Sequence, residues 1–301
     1  MPLTQYTNWD HVPDHLRTKT RLGKDGLRPA RGQKPVAVKI GRYGDYNLYD
    51  SNQAIRKKQL TEAQKEALAK GRAASEAKRT CQRCNYVEPL GRHYRNKRRI
   101  EGGVCSECSF FDWIDGQKQE ATQWAQTILS LSSPVILDSE TTGLGYRDEI
   151  IELAIIDLQG NTLFNCRFWP HCEVSPGAQH IHGISNADLI DCPRWYQYAP
   201  EVFKILHGRP VLIYNAEFDE RLLRQTCHAH GFMPMPEIET DCVMLEYARY
   251  CGEWNYKYEN FRWQKLTGGD HSALGDCLAT LDTIKRMAQI EETTGEPDAC
   301  L

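Results

Sequence analysis

From Pro134 onward the chain alternates short apolar runs with longer amphipathic stretches, and this pattern constrains the fold more than any other feature. The apolar runs predict strands at residues 135–138, 150–157, 162–169 and 210–214. The amphipathic stretches predict helices at residues 216–230, 240–250 and 274–290. Strands come first and then interleave with helices. This order predicts a mixed α/β sheet domain covering residues 134–290, followed by a tail at 291–301.

The chain before this domain has a different texture. Residues 1–59 are rich in Gly, Pro, Arg and Lys and show little periodicity, so much of this segment is expected to be extended or disordered. Thr61 and Gln64 form a capping-box pattern that begins a helix reaching about Arg79. We therefore expect a basic N-terminal region at 1–79, partly disordered or helical, a small cysteine module at 80–115 and a linker helix at 116–133.

Charge is divided sharply along the chain. Residues 1–118 hold 24 Lys and Arg against 13 Asp and Glu, whereas residues 119–301 hold 13 against 27. A basic front half indicates a polyanionic partner such as nucleic acid. A basic surface that serves solubility would give the same composition, so the charge alone leaves both interpretations open.

Composition also bears on the compartment. Hydrophobic residues make up 41% and charged residues 26%, which is ordinary for a globular protein. The apolar runs are too short to span a bilayer, which needs about 20 residues, and the first residues do not resemble a secretory signal. We therefore expect no membrane association. Twelve cysteines are too few for a disulfide scaffold of this length, so we expect a reducing, cytoplasmic compartment.

Four cysteines form two C-x₂-C pairs, Cys81 with Cys84 and Cys105 with Cys108, separated by 20 residues. This spacing is typical of a zinc ribbon, in which four thiolates hold one structural Zn²⁺ in a closed tetrahedral site. His93 could replace one cysteine, although nothing in the spacing requires it.

Between the cysteine pairs runs a basic segment, residues 91–99, with five Lys or Arg. Arginine forks match phosphate oxygens, and Tyr94 could stack on a base. We expect nucleic-acid contact here from Arg95, Arg98 and Arg99. A solvated charged loop and a protein-docking surface are the alternatives.

Acidic residues mark the ends of several predicted elements. Asp138 and Glu140 lie two apart on a strand and can project from one face, and Gly143 in the following turn would let the backbone approach a ligand. Asp219 lies in the first turn of a helix after a buried strand. His271 is expected on a loop, with Asp276 in an early turn of the last helix.

Each of these residues alone has an ordinary structural explanation, such as a charge at a strand end or a carboxylate that complements a helix dipole. Four converging carboxylates would repel one another, however, and would call for two divalent cations, Mg²⁺ or Mn²⁺. Such ions can orient a water and a scissile phosphate, while a neutral imidazole accepts the proton of the water.

Three motifs and one further segment give the stretch 134–290 a family resemblance. The motifs are Asp-Ser-Glu-Thr-Thr-Gly-Leu at 138–144, Tyr-Asn-Ala-Glu-Phe-Asp at 214–219 and His-Ser-Ala-Leu-Gly-Asp at 271–276, and the segment is Ile-His-Gly-Ile-Ser at 181–185. In order and spacing they resemble the DnaQ-like exonuclease superfamily, in the branch whose third motif carries histidine (DEDDh). That branch includes polymerase proofreading subunits, RNase T and oligoribonuclease.

The resemblance implies a ribonuclease H-like mixed sheet flanked by helices, and an enzyme that releases nucleoside 5′-monophosphates from a 3′ end. It implies two Mg²⁺ or Mn²⁺ ions bound by the motif carboxylates: Asp138, Glu140, Asp219 and Asp276. It implies a general base, His271. It also implies groups that position the terminal nucleotide: the backbone of Thr141, the side chain of Leu144, His182 and Phe218.

The expected function is a metal-dependent 3′→5′ exonuclease, with single-stranded DNA slightly favoured. Its expected partners are a nucleic acid with a free 3′ end and a polymerase, repair or processing complex. One alternative is an exoribonuclease that trims RNA 3′ ends, because DNA and RNA present the same phosphodiester. Another alternative is a recruitment module for nucleic acid or protein with little activity of its own.

Overall fold

The computed structural model describes residues 3–91 and 98–289. The chain divides into two compact units, Met1–Gly103 and Val104–Leu301. Within the described ranges, none of the helices combines the length and the apolar character that crossing a bilayer requires.

The first unit contains a four-stranded sheet in the order β1-β4-β5-β2. Its strands are β1 (Thr4–Tyr6), β2 (Leu16–Arg17), β4 (Ala37–Lys39) and β5 (Tyr46–Asp50). The other elements are α1 (Lys19–Lys24), β3 (Leu27–Arg28), β6 (Ile55–Arg56), α2 (Glu62–Ala77) and β7 (Ile100–Glu101). Leu16, Ala37 and Leu48 form its small core.

Residues 3–59 thus differ from the expectation of an extended or disordered segment. Their strands are two to five residues long, so hydrophobic alternation has too few positions in which to show. Helix α2 agrees with the sequence prediction: the backbone N–H of Gln64 donates to Thr61 Oγ1 at 3.3 Å, and the N–H of Thr61 donates to Gln64 Oε1 at 3.1 Å. None of its residues is buried.

The second unit is built on a five-stranded sheet in the order β11-β10-β9-β12-β13. The strands are β9 (Val135–Thr141), β10 (Ile150–Asp157), β11 (Thr162–Arg167), β12 (Pro210–Ile213) and β13 (Glu239–Cys242). The central strand β9 pairs antiparallel with β10 and parallel with β12. Three smaller strands are β8 (Val104–Cys105), β14 (Trp254–Asn255) and β15 (Asn260–Phe261).

Helices cover both faces of this sheet. They are α3 (Ser106–Ser130), α4 (Pro176–His182), α5 (Asn186–Leu189), α6 (Trp195–Leu206), α7 (Ala216–Ala229), α8 (Val243–Cys251) and α9 (Ala273–Ala288). Val135 and Leu137 of β9 pack into the core that includes residues of α6 and α7. Ile136 packs into the opposite core with residues of α3 and α9. The prediction of a ribonuclease H-like mixed sheet flanked by helices is confirmed.

Two predicted boundaries differ from the structure. Helix α3 begins at Ser106 and runs for 25 residues, whereas the sequence suggested a cysteine module to residue 115 and a separate helix at 116–133. The helix predicted at 240–250 begins only at Val243, because Thr240 and Asp241 pair with β12 as part of β13. Strand pairing with β12 delays the start of α8, whereas α3 begins at a local cap in which Cys105 Sγ accepts from the N–H of Cys108.

Candidate active site

Three carboxylates meet at the end of the central strand. Oxygen atoms of Asp138, Glu140 and Asp276 all lie within 4.8 Å of one another. Asp138 and Glu140 share one face of β9 because side chains two apart in a strand project the same way. Asp276 lies in the first turn of α9, which packs against that face.

Asp219 reaches the same strand from the opposite side. It lies in the first turn of α7, and its buried Oδ1 accepts a hydrogen bond of 2.6 Å from the hydroxyl of Ser139. Ser139 stands between the two acids of β9 and therefore projects toward the α7 face. This anchor explains why Asp219 lies behind the three grouped carboxylates, outside their 4.8 Å cluster.

The four carboxylates repel one another in a partly dry environment. Burial, followed by the charges of Asp219 and Asp276, raises the pKa of Asp138 well above its ordinary value. Burial and the charge of Asp276 raise the pKa of Glu140 to about 8. Burial also raises the pKa of Asp219 to about 7, although the bond from Ser139 lowers it. An oxygen-only cluster that holds its charge so reluctantly has the character of a divalent cation site.

His271 lies at the entrance of α9. It is exposed, its backbone adopts φ 60°, and its N–H donates to Asp276 Oδ1 at 3.3 Å. A positive φ in a residue other than glycine is uncommon and is found often at functional sites. The prediction of a loop position for His271 and an early helical turn for Asp276 agrees with this arrangement.

A fifth acid, Glu152 of β10, was missed by sequence reasoning. It lies opposite Glu140 on one side and Arg167 on the other, in register across the three strands. Its Oε1 accepts from Arg167 Nε at 2.7 Å, and its Oε2 accepts from the backbone N–H of Ala273 at 3.0 Å. Glu152 therefore fastens the first residue of α9 to the sheet. The available signal was a lone charge inside the apolar run 150–156.

His182 holds the turn that follows the central strand. Its Nδ1 accepts from the N–H of Ile184 at 3.0 Å, which leaves Nε2 to donate to the carbonyl of Thr141 at 3.1 Å. This pattern places the proton of the neutral ring on Nε2. Burial lowers the pKa of His182 and so also favours the neutral ring. Both ring nitrogens are occupied by backbone, so the geometry gives His182 a positioning role toward Thr141.

The two predicted apolar substrate contacts differ in exposure. The side chain of Leu144 is 77% exposed beside the site, whereas Phe218 is partly buried at the edge of the core. At Gly143 a Cβ would meet the carboxylate of Asp148 at 2.9 Å. The glycine accommodates a side chain of its own turn, and its approach to a ligand stays a prediction.

The cysteines and the basic segment were predicted as a zinc ribbon with a nucleic-acid arm. Cys81 is buried and Cys84 exposed in the first unit, and Cys105 and Cys108 are buried in the second. The guanidinium of Arg98 lies 5.2 Å from the ring centre of Tyr86, and Arg99 is exposed. Arg95, with Tyr94 and His93, lies outside the described residues.

Comparison with known proteins places this geometry in a family. The exonuclease family model RNase_T matches residues 135–284. An uncharacterised exonuclease, CP81 of Escherichia phage 186, is 30% identical over 187 residues, which cover 57% of this chain and 93% of the phage protein. The DNA polymerase III subunit epsilon of Rickettsia typhi is 36% identical over 115 residues, or 35% of this chain. The match spans 47% of that subunit, about half its length.

Among solved structures, Exonuclease X in complex with 5′ overhanging duplex DNA aligns with 53% of this chain and 95% of its own, at 27% identity and a TM-score of 0.35. The family model covers the whole sheet and all four acids. The phage relative is matched over nearly its full length. The chain belongs to the DnaQ-like exonuclease family.

Proposed function

We propose that this protein hydrolyses phosphodiester bonds one at a time from the 3′ end of nucleic acid and releases nucleoside 5′-monophosphates, with single-stranded DNA favoured. The observation that supports this most directly is the meeting of Asp138, Glu140 and Asp276 within 4.8 Å, with Asp219 anchored behind them. The membership of the chain in an exonuclease family supplies the chemistry that such a cluster would serve.

The donor set fits hard divalent cations. All four side chains offer carboxylate oxygens, which Mg²⁺ and Mn²⁺ prefer, and burial raises the pKa of each one. Asp138, Glu140, Asp219 and Asp276 would hold the ions. When bound, such ions neutralise the scissile phosphate and stabilise the leaving 3′ oxygen.

The side chains of the protein would supply the remaining functions. The exposed imidazole of His271 would accept the proton of the attacking water at a ring nitrogen, and the N–H of His271 on Asp276 holds its loop at the cluster. Leu144 and Phe218 would contact the terminal nucleotide. His182 would keep the Thr141 peptide in place beneath it.

Digestion of 5′-labelled oligonucleotides tests this proposal. Single-stranded DNA and RNA of the same sequence are incubated side by side with Mg²⁺ or Mn²⁺, and the products are separated by length. We expect a ladder that shortens from the 3′ end, faster for DNA. Asp138→Asn should abolish the ladder, because it removes a charge from the cluster while keeping the shape of the side chain.

The matched control is Asp282→Asn, the same exchange at an exposed position of α9. It should digest at the rate of the unmodified protein. Products that shorten from the 5′ end would contradict the proposed polarity. Equal loss of activity in both variants would contradict the assignment of the site. Faster digestion of RNA would mean that RNA, and not DNA, is the favoured substrate.

We also propose that the cysteine group formed by the two C-x₂-C pairs holds one structural Zn²⁺, because four thiolates at this spacing complete a tetrahedral site and leave no open position for chemistry. Metal analysis of the purified chain should find about one zinc per molecule. Cys108→Ser should lower this value, whereas Cys166→Ser, outside the group, should not. Unchanged zinc in Cys108→Ser would contradict the site.

A further inference from the structure

The outer face of α7 lines a cavity of about 530 Å³ beside the loop that follows Leu144. Arg224 and Gln225 follow Arg221 by three and four residues, and His228 follows them by four and three. The four side chains therefore share one face of the helix. We call the cavity the arginine basin, and its full lining is Tyr146, Arg147, Arg221, Arg224, Gln225, His228, Ala229 and Met233.

The charge of the basin is opposite in sign to the net charge of residues 119–301. Residues 119–301 carry 27 acidic against 13 basic residues, yet the lining has three arginines, one histidine and no carboxylate. Arg147 and Arg224 are exposed, and neither makes an ion pair in the part of the chain that the structure describes. Two unneutralised guanidiniums on one concave surface form a site suited to an anion.

Arg221 has a different role from the other two arginines. Its guanidinium donates to the carbonyl of Gly145 at 3.3 Å and to Gln225 Oε1 at 2.9 Å. The side-chain amide of Gln225 in turn donates to the carbonyls of Gly145 and Asp148. These bonds connect the loop to α7, so they fix the backbone that carries Arg147 relative to the helix that carries Arg224.

Distance along the helix relates the basin to the carboxylates. Asp219 and His228 are nine residues apart, which corresponds to about 13 Å along the axis of α7. A nucleic-acid strand with a rise of about 3.4 Å per nucleotide would cover that length in about four steps. Tyr146, which is 89% exposed, adds an aromatic ring on which a base can stack.

We propose that the arginine basin binds backbone phosphates of the nucleic acid about two to four nucleotides from the 3′ end. This inference rests on the proposed function, since it takes the carboxylate cluster as the position of the terminal nucleotide. The ligand is a phosphodiester backbone, which belongs either to the strand being digested or to its complement. Arg147 and Arg224 make the charge contacts, and Arg221 positions them.

Binding measurements test the basin independently of turnover. The full chain carrying Asp138→Asn is titrated with fluorescent DNA across a series of salt concentrations. One ligand is a single strand of about ten nucleotides, and the other is a duplex with a recessed 3′ end. The double variant Arg147→Ala/Arg224→Ala is compared with the matched control Lys204→Ala/Lys285→Ala, which removes the same charge from exposed sites on α6 and α9.

On the single strand we expect the arginine variant to bind at least about tenfold more weakly at low salt, because two guanidinium–phosphate contacts are lost. The slope of log affinity against log salt should fall by about 1.4, or about 0.7 for each lost phosphate contact. The control should change neither quantity. A trinucleotide competitor should show a smaller difference between the variants, because it is too short to extend across the basin.

A loss on single strand and duplex alike assigns the contacts to the digested strand, and a loss on the duplex alone assigns them to the complement. If the arginine variant and the control bind both ligands equally, the proposal that the arginine basin binds backbone phosphates is wrong. If the unmodified protein binds DNA through the basin but digests no substrate, the proposed function fails and the binding site stands. If the unmodified protein digests DNA and the arginine variant binds DNA as tightly as the control, the proposed function stands and the proposal for the arginine basin is wrong.

Discussion

The hydroxyl of Ser139 donates a 2.6 Å hydrogen bond to Oδ1 of Asp219, across 80 residues of sequence. The bond connects the central strand to α7 and fixes one oxygen of a buried carboxylate. It leaves the other oxygen, Oδ2, for a cation. Through Ser139, strand β9 therefore orients a carboxylate that lies on helix α7.

Replacing this serine tests the relationship. Ser139→Ala leaves a buried acceptor without its donor, so we expect a loss of about 1–3 kcal/mol in the free energy of unfolding. Turnover should also fall, because Asp219 would no longer be held in one orientation. Urea unfolding and initial rates measure the two effects. Ser139→Thr retains the hydroxyl and should recover most of both, and an alanine variant with normal stability and rate would refute the anchor.

Glu152 offers a second test, because it contacts the helix that carries Asp276 without belonging to the cluster. Glu152→Ala removes the acceptor of the Ala273 N–H and the partner of Arg167, and should destabilise the fold by about 1–3 kcal/mol. Turnover should fall further than this loss of folded protein explains. Glu152→Gln, which keeps an acceptor for Ala273, should retain more activity than the alanine variant.

The comparison for Glu152 is Glu239→Ala, an exposed glutamate of β13 in the same sheet. That exchange should alter neither stability nor rate. If Glu152→Ala lowers activity only in proportion to the unfolded fraction, the role of Glu152 is confined to stability. The positioning role requires a lower kcat in the fully folded fraction.

Gly269 gives a steric test of where Asp276 must sit. A Cβ on Gly269 would collide with Oδ1 of Asp276, so Gly269→Ala should push this carboxylate out of the cluster. The chain should fold normally, and turnover should fall by at least tenfold, which corresponds to about 1.4 kcal/mol of barrier. Gly116→Ala places a methyl in open space on α3 and serves as the control. Full activity of Gly269→Ala would show that the cluster tolerates movement of Asp276.

A buried acid away from the cluster predicts a dependence on pH. Burial alone would raise the pKa of Glu149, but hydrogen bonds from His230 and His171 lower it below the ordinary value. The folded state therefore binds this proton less readily than the unfolded state. Its contribution to stability is present above the ordinary glutamate pKa and is lost as the pH falls through the folded value.

Glu149→Gln should therefore be less stable than the unmodified protein near neutral pH, by about 1–3 kcal/mol, because it loses a charge-assisted bond to buried His230. The two proteins should converge as the pH falls below about 4.5. Urea unfolding between about pH 3 and pH 7 measures this difference. A constant gap across the range would mean that the charge of Glu149 does not matter.

The sequence allowed the mixed sheet and the placement of Asp138 and Glu140 to be predicted, because both follow from local periodicity. Two residues apart on a strand means one face, whatever the rest of the chain does. The roles of the cluster residues stay predictions until activity is measured. Their convergence required only that the carboxyl end of β9 meet the first turns of α7 and α9, as the fold class implies.

What could not be predicted depends on pairs of residues far apart in the chain. Ser139 reads as a small polar residue of a strand until α7 brings Asp219 to it. Glu152 reads as an interruption of an apolar run until α9 presents the N–H of Ala273. The basin between Arg147 and Arg224 likewise exists only after the loop folds onto α7. Neither periodicity nor motif spacing carries this information.

The position of Asp276 in α9 also bears on how the protein is made. Asp138, Glu140 and Asp219 are synthesised long before this helix, and α9 reaches the sheet only when Cys277 and its neighbours pack against β9 and β10. A ribosome-bound chain that has not yet released α9 would lack both the last acid and His271. Nuclease activity would therefore arise only after synthesis of the domain is complete.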